Sequence, residues 1–270
     1  ADSWAMDYSD YPSAETFSFK SGDVFHEEYK EGIYVGYRYF DTFDVPVRYG
    51  FGFGLSYTTF SIKTQKVTVS NLNSENPVLT AAVEVTNTGV TYSGKEVVQI
   101  FVSCPQGSRV KEYRRLAGFA KTKELAPGEK QSLSITFPLY QLTSYEEETA
   151  SWVLDGGNYG IWVGNSLSDA KLCAVLSLDQ SAVMVSGSNI CKKQRELEEI
   201  TPDQAKLLEK QKAWEAIAKE ENLPNLQIKS DQIQTKTISY DADQEAFIGR
   251  AKEIVENMTT DQLLLLATGD

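Results

Sequence analysis

Between residues 60 and 180 the chain alternates short β-rich runs with turns, and no long helical period interrupts the pattern. The runs fall at 60–69, 78–85, 96–102, 116–122, 132–137, 151–154, 159–163 and 171–178. Asn87-Thr88-Gly89, Ala126-Pro127-Gly128 and Asp155-Gly156-Gly157 stand between them, where glycine and proline punctuate the backbone. Apolar and polar residues alternate through 81–86 and 133–137, the period of a strand with one buried face. Runs this short cannot bury themselves, so two sheets must stack. The predicted fold class is mainly β: an immunoglobulin-like β-sandwich over residues 60–180, flanked by an N-terminal β-rich extension and C-terminal helices. No Cys…Trp…Cys spacing is present, which favours the fibronectin type III-like variant over a true immunoglobulin domain.

Residues 1–59 are rich in Tyr, Phe and Gly but hold too few strands to close a domain, and read as the tail of an incomplete one. Period two over 31–40 predicts a strand with Ile33, Val35, Tyr37 and Tyr39 on one face. The glycines at 50, 52 and 54 predict close packing against another element. Beyond 180 the strand pattern lapses, and residues 181–242 read as helix and linker. Ser186-Gly187-Ser188-Asn189 is a break. Thr201-Pro202-Asp203-Gln204 opens a helix, with Thr201 as cap and Pro202 in the first turn. Ile200, Leu207, Leu208, Trp214 and Ile217 give that helix an apolar stripe fit for a neighbouring domain or, alternatively, for a second copy. Residues 222–240 are expected to be an extended linker. A helix follows over 243–257, and another starts at Thr259 or Thr260, with Asp261 and Gln262 in its first turn. Four leucines, 263–266, come behind it.

A net charge of −12 argues against nucleic acid or an anionic membrane surface as a partner. No stretch approaches the roughly 18 apolar residues of a membrane span. Cys104, Cys173 and Cys191 are odd in number and lack close-spaced pairs, so free thiols are expected, with neither a disulfide framework nor a zinc site. His26 is the only histidine, which excludes a catalytic network of two, and one imidazole makes no metal site. The first residues, Ala1-Asp2-Ser3-Trp4, show no signal-peptide pattern and no initiating Met. The expectation is a chain cut from something longer, cytoplasmic rather than secreted.

Four groups of residues carry possible chemistry, each with a structural reading beside it. Arg38 among tyrosines, near Asp41, could orient a sugar, but fits an ion pair tying two strands. Arg109, Lys111, Arg114 and Arg115 could hold a polyanion, but fit a solvated loop or one touching a neighbouring domain. Glu146, Glu147 and Glu148 fit a solvated turn better than a calcium loop. Trp152 and Trp162 could stack on sugars, but fit core packing.

Three stretches resemble the family 3 glycoside hydrolases, the β-glucosidase and β-xylosidase group. YKEGIYVGYRYFD at 29–41 with YGFGFGLSYTTF at 49–60 is similar to the end of that family's α/β-sandwich domain. VTNTG at 85–89, GKEVVQ at 94–99, LAGF at 116–119, LAPGE at 125–129 and YGIWVGNS at 159–166 resemble its fibronectin type III-like domain. IVENMTTDQL at 254–263 is similar to the helix opening its catalytic barrel, so 243–270 reads as the start of an incomplete (β/α)8 barrel. The order resembles bacterial members in which the barrel comes last.

The resemblance implies a retaining enzyme acting on terminal β-glycosidic bonds, with two carboxyl groups about 5–5.5 Å apart. It implies an Asp nucleophile deep in the barrel and a Glu acid/base on the α/β domain, both outside these residues. No catalytic residue, cofactor-binding residue or metal ligand is therefore predicted here, and no cofactor. The expected function is a non-catalytic scaffold within a β-glucosidase-like enzyme; the alternative is an independent carbohydrate-binding or interaction module. The expected partners are the enzyme's other domains, with self-association through apolar ends a further option.

Overall fold

The computed structural model describes residues 3–12, 14, 29–107, 109–193, 196, 198–238 and 240–268, without the side chains of 240–245. His26 lies outside them. In chain order the strands are β1 (Trp4–Ala5), β2 (Val47–Tyr49), β3 (Phe60–Ser70), β4 (Val78–Asn87), β5 (Val97–Ser103), β6 (Arg115–Lys121), β7 (Lys130–Pro138), β8 (Ser144–Glu146), β9 (Ser151–Leu154), β10 (Gly157–Gly164), β11 (Lys171–Leu178), β12 (Ala182–Ser186), β13 (Asn225–Ile228) and β14 (Lys236–Thr237). The helices are α1 (Tyr37–Thr42), α2 (Gln204–Glu220), α3 (Tyr240–Glu256) and α4 (Thr260–Thr268). A sheet ordered β3-β4-β7 faces one ordered β13-β11-β10-β5-β6, a third is ordered β14-β12-β9-β8, and β1 pairs with β2. Each of the eight runs read from the sequence is a strand. The molecule is mainly β, as predicted, and its sandwich is fibronectin type III-like.

The two large sheets bury their facing sides in different ways. In β4 alternate residues point inward, so Leu79, Ala81, Val83 and Val85 are fully buried while Thr80, Ala82 and Glu84 face outward. Ile100 and Val102 of β5, Ile135 and Phe137 of β7, Ile161 of β10 and Leu176 of β11 complete the same core. Tyr159 is buried there and donates its hydroxyl to the Asp155 carbonyl at 2.5 Å, the backward tyrosine bond that many such sandwiches use at a corner. Asn87 is a buried polar hub. Its Oδ1 accepts from the Thr58 hydroxyl (2.6 Å) and the Gly89 amide (3.0 Å), and its Nδ2 donates to the carbonyls of Tyr92 and Leu125 (each 2.9 Å).

β5 departs from alternation because both its faces are covered. Val98, Ile100 and Val102 enter the main core, while Gln99, Phe101 and Ser103 are buried on the opposite side. The N-terminal segment lies there, with Tyr37 and Phe51 against Phe101 at ring-centroid distances of 6.0 and 6.2 Å. Farther along the same outer face lies α2. Trp214 packs with Leu172, Val175 and Ala218 and is 2% exposed. Gly160 makes room for it, since a Cβ at that position would stand 3.2 Å from the indole.

Several expectations are corrected. Residues 31–40 form a turn and the start of α1, not a strand. Gly32 (φ +54°) and Gly36 (φ +61°) break the extended course. Tyr34, Tyr37 and Phe40, three apart, are buried, whereas Ile33 and Val35 face solvent. Arg38 therefore joins no pair of strands. The cap of α2 is Asp203, whose carboxylate accepts from the amides of Ala205 (2.9 Å) and Lys206 (3.3 Å); Thr201 lies outside the helix. Only Leu207, Trp214 and Ala218 of α2 are buried, and Leu208 and Ile217 are exposed. Within the expected linker, β13 pairs in parallel with β11, Leu226 opposite Leu176. Among the three glycines at 50–54, Gly52 alone approaches another element closely: a Cβ there would stand 2.8 Å from the Ser166 Cα. Trp152 is not core. It is 36% exposed beside Tyr140 and Tyr145.

At the C-terminal end the helix start behaves as predicted. The Thr259 amide donates to Gln262 Oε1 (2.9 Å) and the Gln262 amide to Thr259 Oγ1 (3.3 Å), a reciprocal cap. The leucines at 263–266 are exposed. All three cysteines are free thiols, with Cys104 buried, Cys173 half-buried and Cys191 exposed. No helix among the described residues is long and apolar enough to cross a membrane.

The docking of α2 yields a prediction. Trp214→Ala empties a site lined by β10 and β11 and should lower unfolding stability by about 3–5 kcal/mol in urea titration. A loss under about 1 kcal/mol would mean the helix is not anchored there.

Candidate functional site

The chain's densest chemistry is the loop at 109–115 and what surrounds it. Its sequence, Arg109-Val110-Lys111-Glu112-Tyr113-Arg114-Arg115, leads into β6 at the side of the sandwich where the N-terminal segment lies. Every cation of this loop meets a carboxylate. Arg114 grips Asp41 of α1 with a two-pronged fork, Nε to Oδ2 at 3.0 Å and Nη2 to Oδ1 at 2.5 Å, and donates Nη1 to the Leu167 carbonyl at 3.0 Å. Arg115 forks onto Glu112 at 2.6 and 3.0 Å, and its Nη1 reaches the carbonyls of Gln141 (2.7 Å) and Thr143 (2.8 Å). Lys111, 1% exposed, pairs with Asp155 at 2.6 Å. Arg109 bridges Asp155 and Glu146. Arg38 approaches Glu112 at 3.7 Å from the helix side.

Neutral bonds run beside these pairs and join the same two segments. The Tyr113 amide donates to Thr42 Oγ1 (3.0 Å), the Leu116 amide to the Tyr37 hydroxyl (2.8 Å), and the Tyr34 hydroxyl to the Lys111 carbonyl (3.4 Å). The Leu167 amide donates to the Phe51 carbonyl at 2.9 Å. Helix α2 enters too. Lys210 pairs with Asp44 at 2.6 Å, donates to the Asp41 carbonyl at 3.0 Å and lies 4.7 Å from the Tyr113 ring centroid.

Burial shifts the titration of this cluster. Burial alone would raise the Glu112 carboxyl, but the Arg115 fork and the nearby Arg38 more than offset it, leaving Glu112 below its usual 4.5. Burial would lower Arg115, and its hydrogen bonds to Glu112 instead hold it above the ordinary arginine value. Burial pushes the Cys104 thiol up to about 11, so it stays protonated at neutral pH.

The outcome for the residues singled out from sequence is mixed. The basic loop is no solvated loop and offers no free cluster for a polyanion, because its charges are spent on Asp41, Glu112, Glu146 and Asp155. It does touch the neighbouring segment, as its other structural reading held. Arg38 and Asp41 sit on one helix but serve different partners. Glu146 pairs with Arg109 and Glu147 with Lys193 (2.8 Å). Trp162 is half-buried, donates Nε1 to Ser103 Oγ at 3.0 Å and lies under Arg114 at 5.4 Å. Sequence reasoning missed Tyr34, Thr42, Glu112, Asp155 and Lys210. Glu112 was visible as the one acid inside the basic run; the others are distant in sequence and carry no local pattern. Among the described residues no group of three or more His, Cys, Asp or Glu is placed to hold a metal ion.

A two-sheet sandwich with a tyrosine corner, clamped to an aromatic N-terminal segment, is a fibronectin type III-like fold. A family model for the fibronectin type III-like domain matches residues 96–167. The β-glucosidase of Ruminococcus albus is 39% identical over 189 residues, which is 68% of this chain and 19% of that protein. β-Glucosidase A of Butyrivibrio fibrisolvens is 38% identical over 191 residues, 64% of this chain and 22% of that protein. Among solved structures, a Paenibacillus barengoltzii β-glucosidase superposes with a TM-score of 0.63 at 37% identity, covering 70% of this chain and 21% of that one. β-Glucosidase 3B of Thermotoga neapolitana, solved with glucose, gives 0.59 at 35% identity over 67% of this chain and 24% of that one. Over about two-thirds of its length the chain is β-glucosidase-like, of the family 3 glycoside hydrolase kind. It spans about a fifth of the length of the curated relatives it matches.

Because the folded-state value of Glu112 is depressed, its contribution to stability is complete above pH 4.5 and is lost as pH falls below that value. Glu112→Gln should remove this acid-side loss. It should also lower stability at pH 7 by about 3–5 kcal/mol, because Arg115 stays buried without its counter-charge. Denaturant titrations from pH 3 to 7 on both proteins check this; parallel pH profiles would contradict it.

Proposed function

We propose that this chain is a non-catalytic scaffold of a β-glucosidase-like glycoside hydrolase, in which the type III-like sandwich fixes the end of a neighbouring α/β domain. One observation carries the reading: the paired Asp41–Arg114 contact, 10% and 14% exposed, with the neutral bonds beside it. Two desolvated charges with matched forks define one register and one orientation, which suits a rigid joint between domains. Glu112 of the neighbouring loop is unsuited to acid/base work. Glu112 is held ionised by Arg115, whereas a general acid needs a raised value. The partners implied are the α/β and barrel domains of the enzyme, with the exposed 263–266 leucines offered to the latter.

The purified chain should not hydrolyse p-nitrophenyl β-glucoside or β-xyloside above buffer. Turnover that survives repurification and disappears when a single Asp or Glu is replaced would refute the scaffold reading.

A further inference from the structure

Against the ion-paired loop lies an open cleft of about 630 Å³. One wall is aromatic. Trp152 of β9 and Tyr145 of β8 line it, their ring centroids 5.2 Å apart. Tyr140, next to the cleft, stands edge-on to Trp152 with ring centroids 5.6 Å apart. The exposures of Tyr140, Tyr145 and Trp152 are 38%, 43% and 36%, so each ring is accessible, with the tyrosines tilted 61° and 53° to the indole. Antiparallel pairing places Tyr145 directly opposite Trp152, and the backbone of the small sheet fixes their spacing.

The rest of the lining is dominated by charge, with Arg38, Arg109 and Arg115 against Glu112, Glu146 and Glu199. Three guanidinium groups stand with three carboxylates, Arg115 paired to Glu112 at 2.6 Å and Arg109 to Glu146 at 3.0 Å. A ligand entering the cleft meets fixed donors and acceptors in close alternation but no surplus charge of either sign. An anion would face Glu112 and Glu146; a cation would face Arg115 and Arg109. A neutral polyhydroxylated molecule suits both walls, because a pyranose has an apolar C–H face for the rings and hydroxyls that donate and accept. The volume falls within the range of small-molecule sites and exceeds what one sugar ring fills. Three adjacent rings likewise favour several sugar units over one.

We infer that this cleft is a binding site for a neutral oligosaccharide, with Trp152 as its central platform and Tyr145 and Tyr140 flanking it. The site borders the junction, sharing Arg38, Glu112 and Arg115 with it, but does not rest on the scaffold reading.

Isothermal titration of the full chain with cellohexaose, xylohexaose and chitohexaose tests it, with heparin as the anionic probe. At least one neutral hexamer should bind, Trp152→Ala should weaken that binding at least tenfold, and heparin should bind no better than buffer ions. Tyr145→Ala should weaken it severalfold and, standing at an exposed position, decides the matter if Trp152→Ala fails to fold. Thermal melting reports folding of each variant. The inference is overturned if none of the three hexamers binds at millimolar concentration, if folded variants bind as well as the parent, or if heparin is the preferred ligand.

Discussion

The fork of Arg114 on Asp41 is the contact on which the arrangement of the N-terminal segment depends. Asp41 belongs to a six-residue helix that has no side-chain cap and two glycine breaks before it. Such a helix is too short to persist alone. It exists because Tyr37 buries against Phe101 of the sandwich and Phe40 against Tyr11, while Asp41, Thr42 and Tyr37 satisfy the backbone and side chains of the loop at 113–116. The loop depends on the segment in turn. Arg114 is 14% exposed and its counter-charge, Asp41, stands on the segment, and a buried charge is tolerated only with its counter-charge and hydrogen bonds in place. Neither half can be removed without stranding charges in the other.

This mutual dependence accounts for the second side of the five-stranded sheet. An ordinary antiparallel sandwich leaves its outer faces wet. Here Phe101 and Ser103 on β5 and Gly160 and Trp162 on β10 point outward and are covered, one pair by the N-terminal segment and Ser103's bond from Trp162, the other by Trp214 of α2. Lys210 then ties α2 to the N-terminal segment through Asp44 and the Asp41 carbonyl, so the two coverings brace each other over the sandwich.

The sandwich was legible in the sequence because period-two burial is a local pattern. β4 reads directly from its alternation, and all eight central strands follow from runs bounded by turn residues. The outer coverings were half legible. The unbroken run in β5 signals burial on both faces, and Gly160 and Gly164 beside Trp162 signal a close neighbour, but neither says which segment approaches. The 31–40 segment misled because aromatic residues at both odd and even positions satisfy a strand template; the two left-handed glycines, not the apolar pattern, decide its course. β13 is too short to stand out from an extended linker. The ionic joint was hidden for a different reason: Asp41 and Arg114 are 73 residues apart, and long-range pairing leaves no trace in spacing. Trp152 shows the converse, a residue type that is usually buried kept near the surface by the shortness of β8 and β9.

The most direct measurement of the joint is a double-mutant cycle on Asp41 and Arg114, using Asp41→Asn, Arg114→Gln and the double variant in urea denaturation. If the pair holds the segment to the sandwich, the two single losses should exceed the double loss, with a coupling energy of about 2 kcal/mol or more. Losses that add to within about 0.5 kcal/mol would show that the two side chains act independently, and the ionic joint would not be what holds the segment in place.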